Sequence, residues 1–184
     1  RLKLYENTHV LIFADHGEMM GSHGHFGKVV PFEESIRTPF IFAGGGPYAR
    51  LRRGFTDAFL NHVDIAPTSL ALAGLDIPDS MAGYDWSHVR TGEAPGAPEP
   101  EAALIQAIEP RAESPAYRAI VTRDEWKYAE TEEGPWLMFD LNDDPCEMAN
   151  LVLHQAHLEK RRQLQDVLRR KIAETGDSFR MQSG

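Results

Sequence analysis

The sequence predicts an α/β protein in two parts: a sheet of buried strands flanked by helices, then a small antiparallel sheet closed by a helix. Three observations predict it. "HVLIFA" (9–14) and "TPFIFAG" (38–44) are unbroken apolar and β-branched runs, the texture of parallel strands covered on both faces. "TGEAPGAPEPE" (91–101) is rich in proline and acid, as an exposed linker is. Beyond it, "AALIQAI", "YRAIVTRD", "WKYAET" and "WLMFDL" are short β-type runs separated by turn residues. The expected organisation is therefore residues 1–92, a linker over 93–101, and a small subdomain over 102–184.

The elements follow in order. The first strand ends at Asp15, and residues 17–31 carry glycines and a proline in a loop pattern. "FEESIR" (32–37) has room for one or two helical turns, and Gly44, Gly45 and Gly46 close the second strand. "NHVDIAPTSLALAGL" (61–75) predicts a helix with Asp64 as N-cap, Pro67 in the first turn and Gly74 at the left-handed C-terminal position. Leu158, Leu164, Val167, Leu168 and Ile172 mark the apolar stripe of a terminal helix, with arginines and lysines on its other face.

Bulk properties bound the function. A chain of 184 residues, 42% hydrophobic and 26% charged, closes one core with at most a small appended layer. The net charge of −9 argues against a broad nucleic-acid surface, although one basic pocket could still hold an anion. No run approaches the about 18 apolar residues that cross a bilayer, and no basic-then-apolar leader stands at the front. The opening "RLKLYENT", without Met, reads as the interior of a longer protein whose C-terminal segment this is. A single cysteine excludes an internal disulfide framework and leaves the compartment open.

Chemistry concentrates in "VLIFADHGEMMGSHGHFGK" (10–28). Ligands of open α/β sheets sit beyond the carboxyl ends of strands, where Asp15 and His16 fall. A carboxylate and an imidazole on one turn can reach a single divalent cation, and that donor pair suits manganese, zinc or iron better than calcium or magnesium. An Asp-His-Gly turn is also ordinary strand punctuation. His23 and His25, two apart among glycines, fit solvated or supporting roles better than direct ligation. Lys28 has the form of a surface lysine, but a glycine-rich loop lets backbone approach a small ligand and an ammonium bind its anionic oxygen. Cys146 lies in the acidic turn "NDDPCEMANL", not the electropositive setting that suits a reactive thiolate, and no G-x-S-x-G elbow or P-loop is present.

"ENTHVLIFADHGEMMGSHGHFGK", "PFEESIRTPFIF", "NHVDIAPTSLALAGL" and "WLMFDLNDDPCEMANL", in this order, resemble the C-terminal part of a sulfatase, within the alkaline phosphatase superfamily. The resemblance implies a mixed sheet flanked by helices, Asp15 and His16 as two ligands of one divalent metal, and Lys28 as a contact to sulfate or phosphate oxygens. It favours calcium as that metal, with manganese, magnesium and zinc as alternatives. It also implies a formylglycine nucleophile from a Cys- or Ser-x-Pro-x-Arg motif and further metal-binding aspartates, none of which these residues contain. The expected function is hydrolysis of a small-molecule sulfate ester. The alternatives are a phosphonate monoester or phosphodiester hydrolase of the same superfamily, or a catalytically silent fragment serving as a binding module. A sheet short of neighbouring strands would also favour association, so a homo-oligomer is allowed.

Overall fold

The computed structural model describes residues 4–45, 54–112 and 114–182. It divides into two compact units, one formed by residues up to Asp15 with Thr38–Pro100, the other by His16–Arg37 with the residues from Glu101 onward. The fold class is the mixed α/β arrangement that the sequence predicts, with antiparallel sheets and a long final helix.

In the first unit, β1 (His9–Phe13) and β2 (Phe40–Gly44) pair with His9 opposite Gly44 and Phe13 opposite Phe40. This pairing is antiparallel, which corrects the parallel expectation. An apolar run records what a strand can touch and carries no information about its neighbour's direction. Nor are the strands covered on both faces within the described residues, since Ile12, Phe13 and Ile41 stay exposed. Gly44 ends β2 at φ +112, and a Cβ there would stand 2.1 Å from the Thr8 carbonyl oxygen, so the chain can turn only with glycine.

The predicted helix over 61–75 begins as a 3-10 turn (His62–Asp64) and continues as α2 (Ile65–Leu72). Asp64 stands at the N-cap position of α2 as expected, but its side chain makes no cap bond to that helix; the capping side chain is Asn61, at the start of the 3-10 turn. The Asn61 side chain accepts from the turn while the Asp64 carboxylate accepts from the Asn61 N–H, a reciprocal capping box. Gly74 is left-handed as expected, at φ +69. The helical turn over Glu33–Ile36 is α1, and a short α3 (Ser87–Thr91) precedes the exposed acidic stretch.

The second unit is a four-stranded antiparallel meander, β3 (Ala102–Ala107), β4 (Tyr117–Thr122), β5 (Trp126–Thr131) and β6 (Gly134–Asp140), in that spatial order. α4 (Leu158–Thr175) lies across one face, where Leu164, Leu168 and Ile172 join Ile120, Tyr128 and Met138 in the core. Strand residues alternate between faces, so Lys127, between Trp126 and Tyr128, points to the side opposite α4. There it meets the segment 16–37, whose Phe32 ring lies 6.0 Å from that of Phe139. Cover on both faces explains why every residue of β4 is buried. No helix of the described residues is long and apolar enough to cross a membrane.

The chain after α4 is tied back by Arg118, whose guanidinium grips Asp177 with Nε and Nη2 while lying 4.7 Å over the Phe179 ring. Arg118 is the main reason the Asp177 carboxyl is held below its ordinary 3.8. Because the folded pKa is depressed, this pair contributes stability above pH 3.8 that is lost as pH falls through the lower folded value. Asp177→Asn should therefore lower the unfolding free energy by about 2 kcal/mol at pH 7. Urea titrations followed by circular dichroism should show that difference shrinking as the pH drops below 3.8.

Candidate active site

The end of β1 is held from its own unit. His62 Nε2 lies 2.7 Å from the Ala14 carbonyl oxygen, which can only accept, so Nε2 carries the proton. His62 is placed by the capping turn, and the turn by Asp64, a carboxylate only 3% exposed. Asp64 accepts from the Asn61 N–H at 2.8 Å, the Tyr84 N–H at 2.7 Å and the Trp86 indole at 2.9 Å. The approach is tight enough that a Cβ on Gly83 would fall 2.2 Å from the Val63 carbonyl oxygen. Asp15, exposed, follows this anchored strand end directly.

His16 opens the second unit. Its Nδ1 is 2.7 Å from the Gly17 carbonyl oxygen, which can only accept, so Nδ1 carries a proton and in the neutral ring the lone pair falls to Nε2. A backbone carbonyl holding the remote ring N–H is how metal-binding histidines are commonly oriented. Gly17 donates its N–H to the Ser35 carbonyl at 2.8 Å, and a Cβ on it would lie 1.9 Å from the Glu34 carbonyl oxygen. The glycine of Asp-His-Gly thus admits α1 against the turn.

The loop that follows is folded on itself. Met19, 2% exposed, donates its N–H to the Gly27 carbonyl, and Gly21 donates to His25, both at 2.8 Å. His23, left-handed at φ +52, lays its ring on Phe32 at 4.0 Å and 7°. His25 stands 6.1 Å from the same ring, so both histidines pack around Phe32. Lys28 is exposed at the loop's end. Val29 beside it has φ +77, a conformation that costs a β-branched residue on the order of 1–3 kcal/mol. Buried Val30, Pro31 and Phe32 come next.

Sequence reasoning missed a buried charge cluster beneath this loop. Lys127 Nζ, wholly buried, lies 2.6 Å from Glu147 Oε1 and 2.9 Å from Glu33 Oε1. Glu147 Oε2 accepts the Glu33 N–H at 2.7 Å. Burial pushes the Glu147 carboxyl up, while Lys127 and the Glu33 N–H pull it back. One ligand-type atom each from His23, Glu34 and Glu147 also falls within 4.8 Å of the others, a grouping able to surround a metal. Both Glu147 oxygens are already engaged, one by an ammonium, so Lys127 is the cation this cluster is built around. The signal available in sequence was a lysine inside the β-type run "WKYAET" and a glutamate beside Cys146, which is itself exposed. Of the residues singled out by sequence, His16, His23, His25 and Lys28 share the second unit, and Asp15 ends the first of the two segments that make up the first unit.

Residues 21–174 match the family model described as N-sulphoglucosamine sulphohydrolase, C-terminal. An ulvan-active sulfatase of Formosa agariphila is 38% identical over 188 positions, covering 97% of this chain and 35% of that protein. A protein solved in complex with its substrate, D-glucosamine-2-N,6-O-disulfate, has a TM-score of 0.80 at 28% identity, covering 94% of this chain and 35% of that one. A 2-O GAG sulfatase shares the fold at a TM-score of 0.81 and 24% identity, covering 97% of this chain and 40% of that one. The chain belongs to the sulfatase family, in the region that the C-terminal family model describes. It spans about a third of the length of the curated relatives it matches.

His62→Ala removes the donor to Ala14 without touching the core of the other unit. Amide hydrogen exchange should accelerate over residues 14–16 and stay unchanged in β3–β6.

Proposed function

We propose that the protein is a sulfuric ester hydrolase in which Asp15 and His16 hold one divalent metal ion and Lys28 binds the sulfate oxygens. The observation that carries the reading is the His16 Nδ1–H bond to the Gly17 carbonyl. It orients Nε2 as a lone-pair donor next in the chain to the Asp15 carboxylate, at the end of an anchored strand. A carboxylate with a neutral imidazole is a sound donor set for such an ion. Calcium is favoured from the family resemblance, with manganese, magnesium and zinc as alternatives. When bound, the ion supplies Lewis acidity toward a non-bridging sulfate oxygen.

This chain's own part is to bind and stabilise charge. The Lys28 ammonium, a compact charge on an exposed and strained loop end, meets the negative charge that builds on the sulfuryl group and leaving oxygen as the S–O ester bond breaks. The nucleophile, proposed to be formylglycine, belongs to sequence outside these 184 residues. The substrate is proposed to be a sulfated saccharide, since the relatives include an ulvan-active sulfatase and a protein whose substrate is a glucosamine disulfate.

Sulfate release by the full-length protein from glucosamine sulfates and an aryl sulfate, with an aryl phosphonate as contrast, tests the reading. Faster turnover of the phosphonate would reassign it to the phosphonate hydrolases. Lys28→Ala should lower kcat/KM by about 10²-fold, the scale of one lost preorganised charge donor. An unchanged rate removes Lys28 from the site. Asp15→Ala should abolish metal content in elemental analysis of the purified protein, and full occupancy would rule out the ligand assignment.

A further inference from the structure

We infer that Lys127, acting through Glu33 and Glu147, is a positioning residue for Lys28, so that the small sheet sets the geometry of the anion-binding loop. The inference rests on the assignment of Lys28 made above.

Lys28 is exposed, and four residues separate it from Glu33. Those between are locked: Val30 is 1% exposed and Phe32 8%, with Phe32 held between the His23 ring at 4.0 Å and Phe139 of β6 at 6.0 Å. Glu33 is then fastened twice, by its N–H to Glu147 Oε2 at 2.7 Å and by its carboxylate to Lys127 at 2.9 Å. Glu147 takes its place with a left-handed backbone, φ +54, in the turn after β6. A β-branched residue persists at φ +77 only where its surroundings over-determine it, and Val29 sits between Lys28 and this anchor. Loosening the anchor lets Val29 relax to negative φ, which redirects the Lys28 side chain. Lys127 touches no reacting group in this account. Its effect passes along residues 33 to 28.

The test is a double-mutant cycle in the full-length protein, using whichever of glucosamine 6-sulfate or an aryl sulfate the wild type hydrolyses. Glu33→Gln keeps shape and leaves Lys127 its 2.6 Å partner Glu147, so the fold survives, as a thermal melt by circular dichroism checks. Lys127→Met, the harsher change, is read beside it. Glu33→Gln should lower kcat/KM about 10-fold, as a small misplacement of a charged group does. It should also speed amide exchange at Lys28–Val30 while β3–β6 stay protected. In the Lys28→Ala background Glu33→Gln should cost nothing more, a result that a purely structural role would not produce. Losses that multiply, or a Glu33→Gln enzyme with wild-type rate beside a crippled Lys28→Ala, overturn the positioning role and leave the assignment of Lys28 intact. A Lys28→Ala enzyme with wild-type rate overturns both.

Discussion

A lysine ammonium with no exposed surface is the constraint on which the second unit depends. Leaving such a charge unpaired costs several kcal/mol, so the fold must deliver carboxylates to Lys127. It delivers Glu147 from the turn after β6 and Glu33 from α1, the latter from a segment 114 residues away from Glu147 in sequence. Once those partners are in place, the loop 16–32 is pinned to the face of the sheet that α4 leaves open, and Phe32 closes against Phe139. The small sheet and the glycine-rich loop are therefore one cooperative structure. Such an ion cluster contributes specificity of arrangement more than net stability, which is what a loop carrying a strained valine requires.

The same economy of placement governs the other unit. Asp64 is a buried carboxylate satisfied by three N–H donors, and through the capping turn it sets His62 against the Ala14 carbonyl. Two buried acids, one balanced by an ammonium and one by N–H groups, thus stand behind Lys28 and Asp15 respectively. Neither acid is exposed enough to meet a substrate. On the proposed assignment of Asp15 and Lys28, their work is to fix those exposed residues.

What sequence could reveal followed the range of the interactions. Local patterns located β1, β2, α1, α2, the meander and α4, because periodicity and turn residues are written within a few positions of one another. The direction of β2 relative to β1 was not legible, since pairing depends on where the chain returns and not on the composition of either strand. Asp64 was legible as the residue that opens α2, but the capping side chain three residues earlier was not, because both Asn61 and Asp64 have capping side chains and only the fold chose between them. The Asp-His-Gly turn and Lys28 stood out as candidate chemistry through their order and spacing. Lys127, Glu33 and Glu147 did not, for their meaning lies in a contact that no local window contains. His62 was hidden for the same reason, 48 residues from the carbonyl it holds.

The most direct test of the account is anomalous diffraction from crystals of the full-length protein loaded with manganese. The account predicts one strong peak at about 2.0–2.6 Å from an Asp15 carboxylate oxygen and His16 Nε2, distances ordinary for oxygen and nitrogen ligands. It also predicts no peak at the His23, Glu34 and Glu147 cluster, where the Lys127 ammonium already holds Glu147. A peak at that cluster with none at Asp15 and His16 would contradict it.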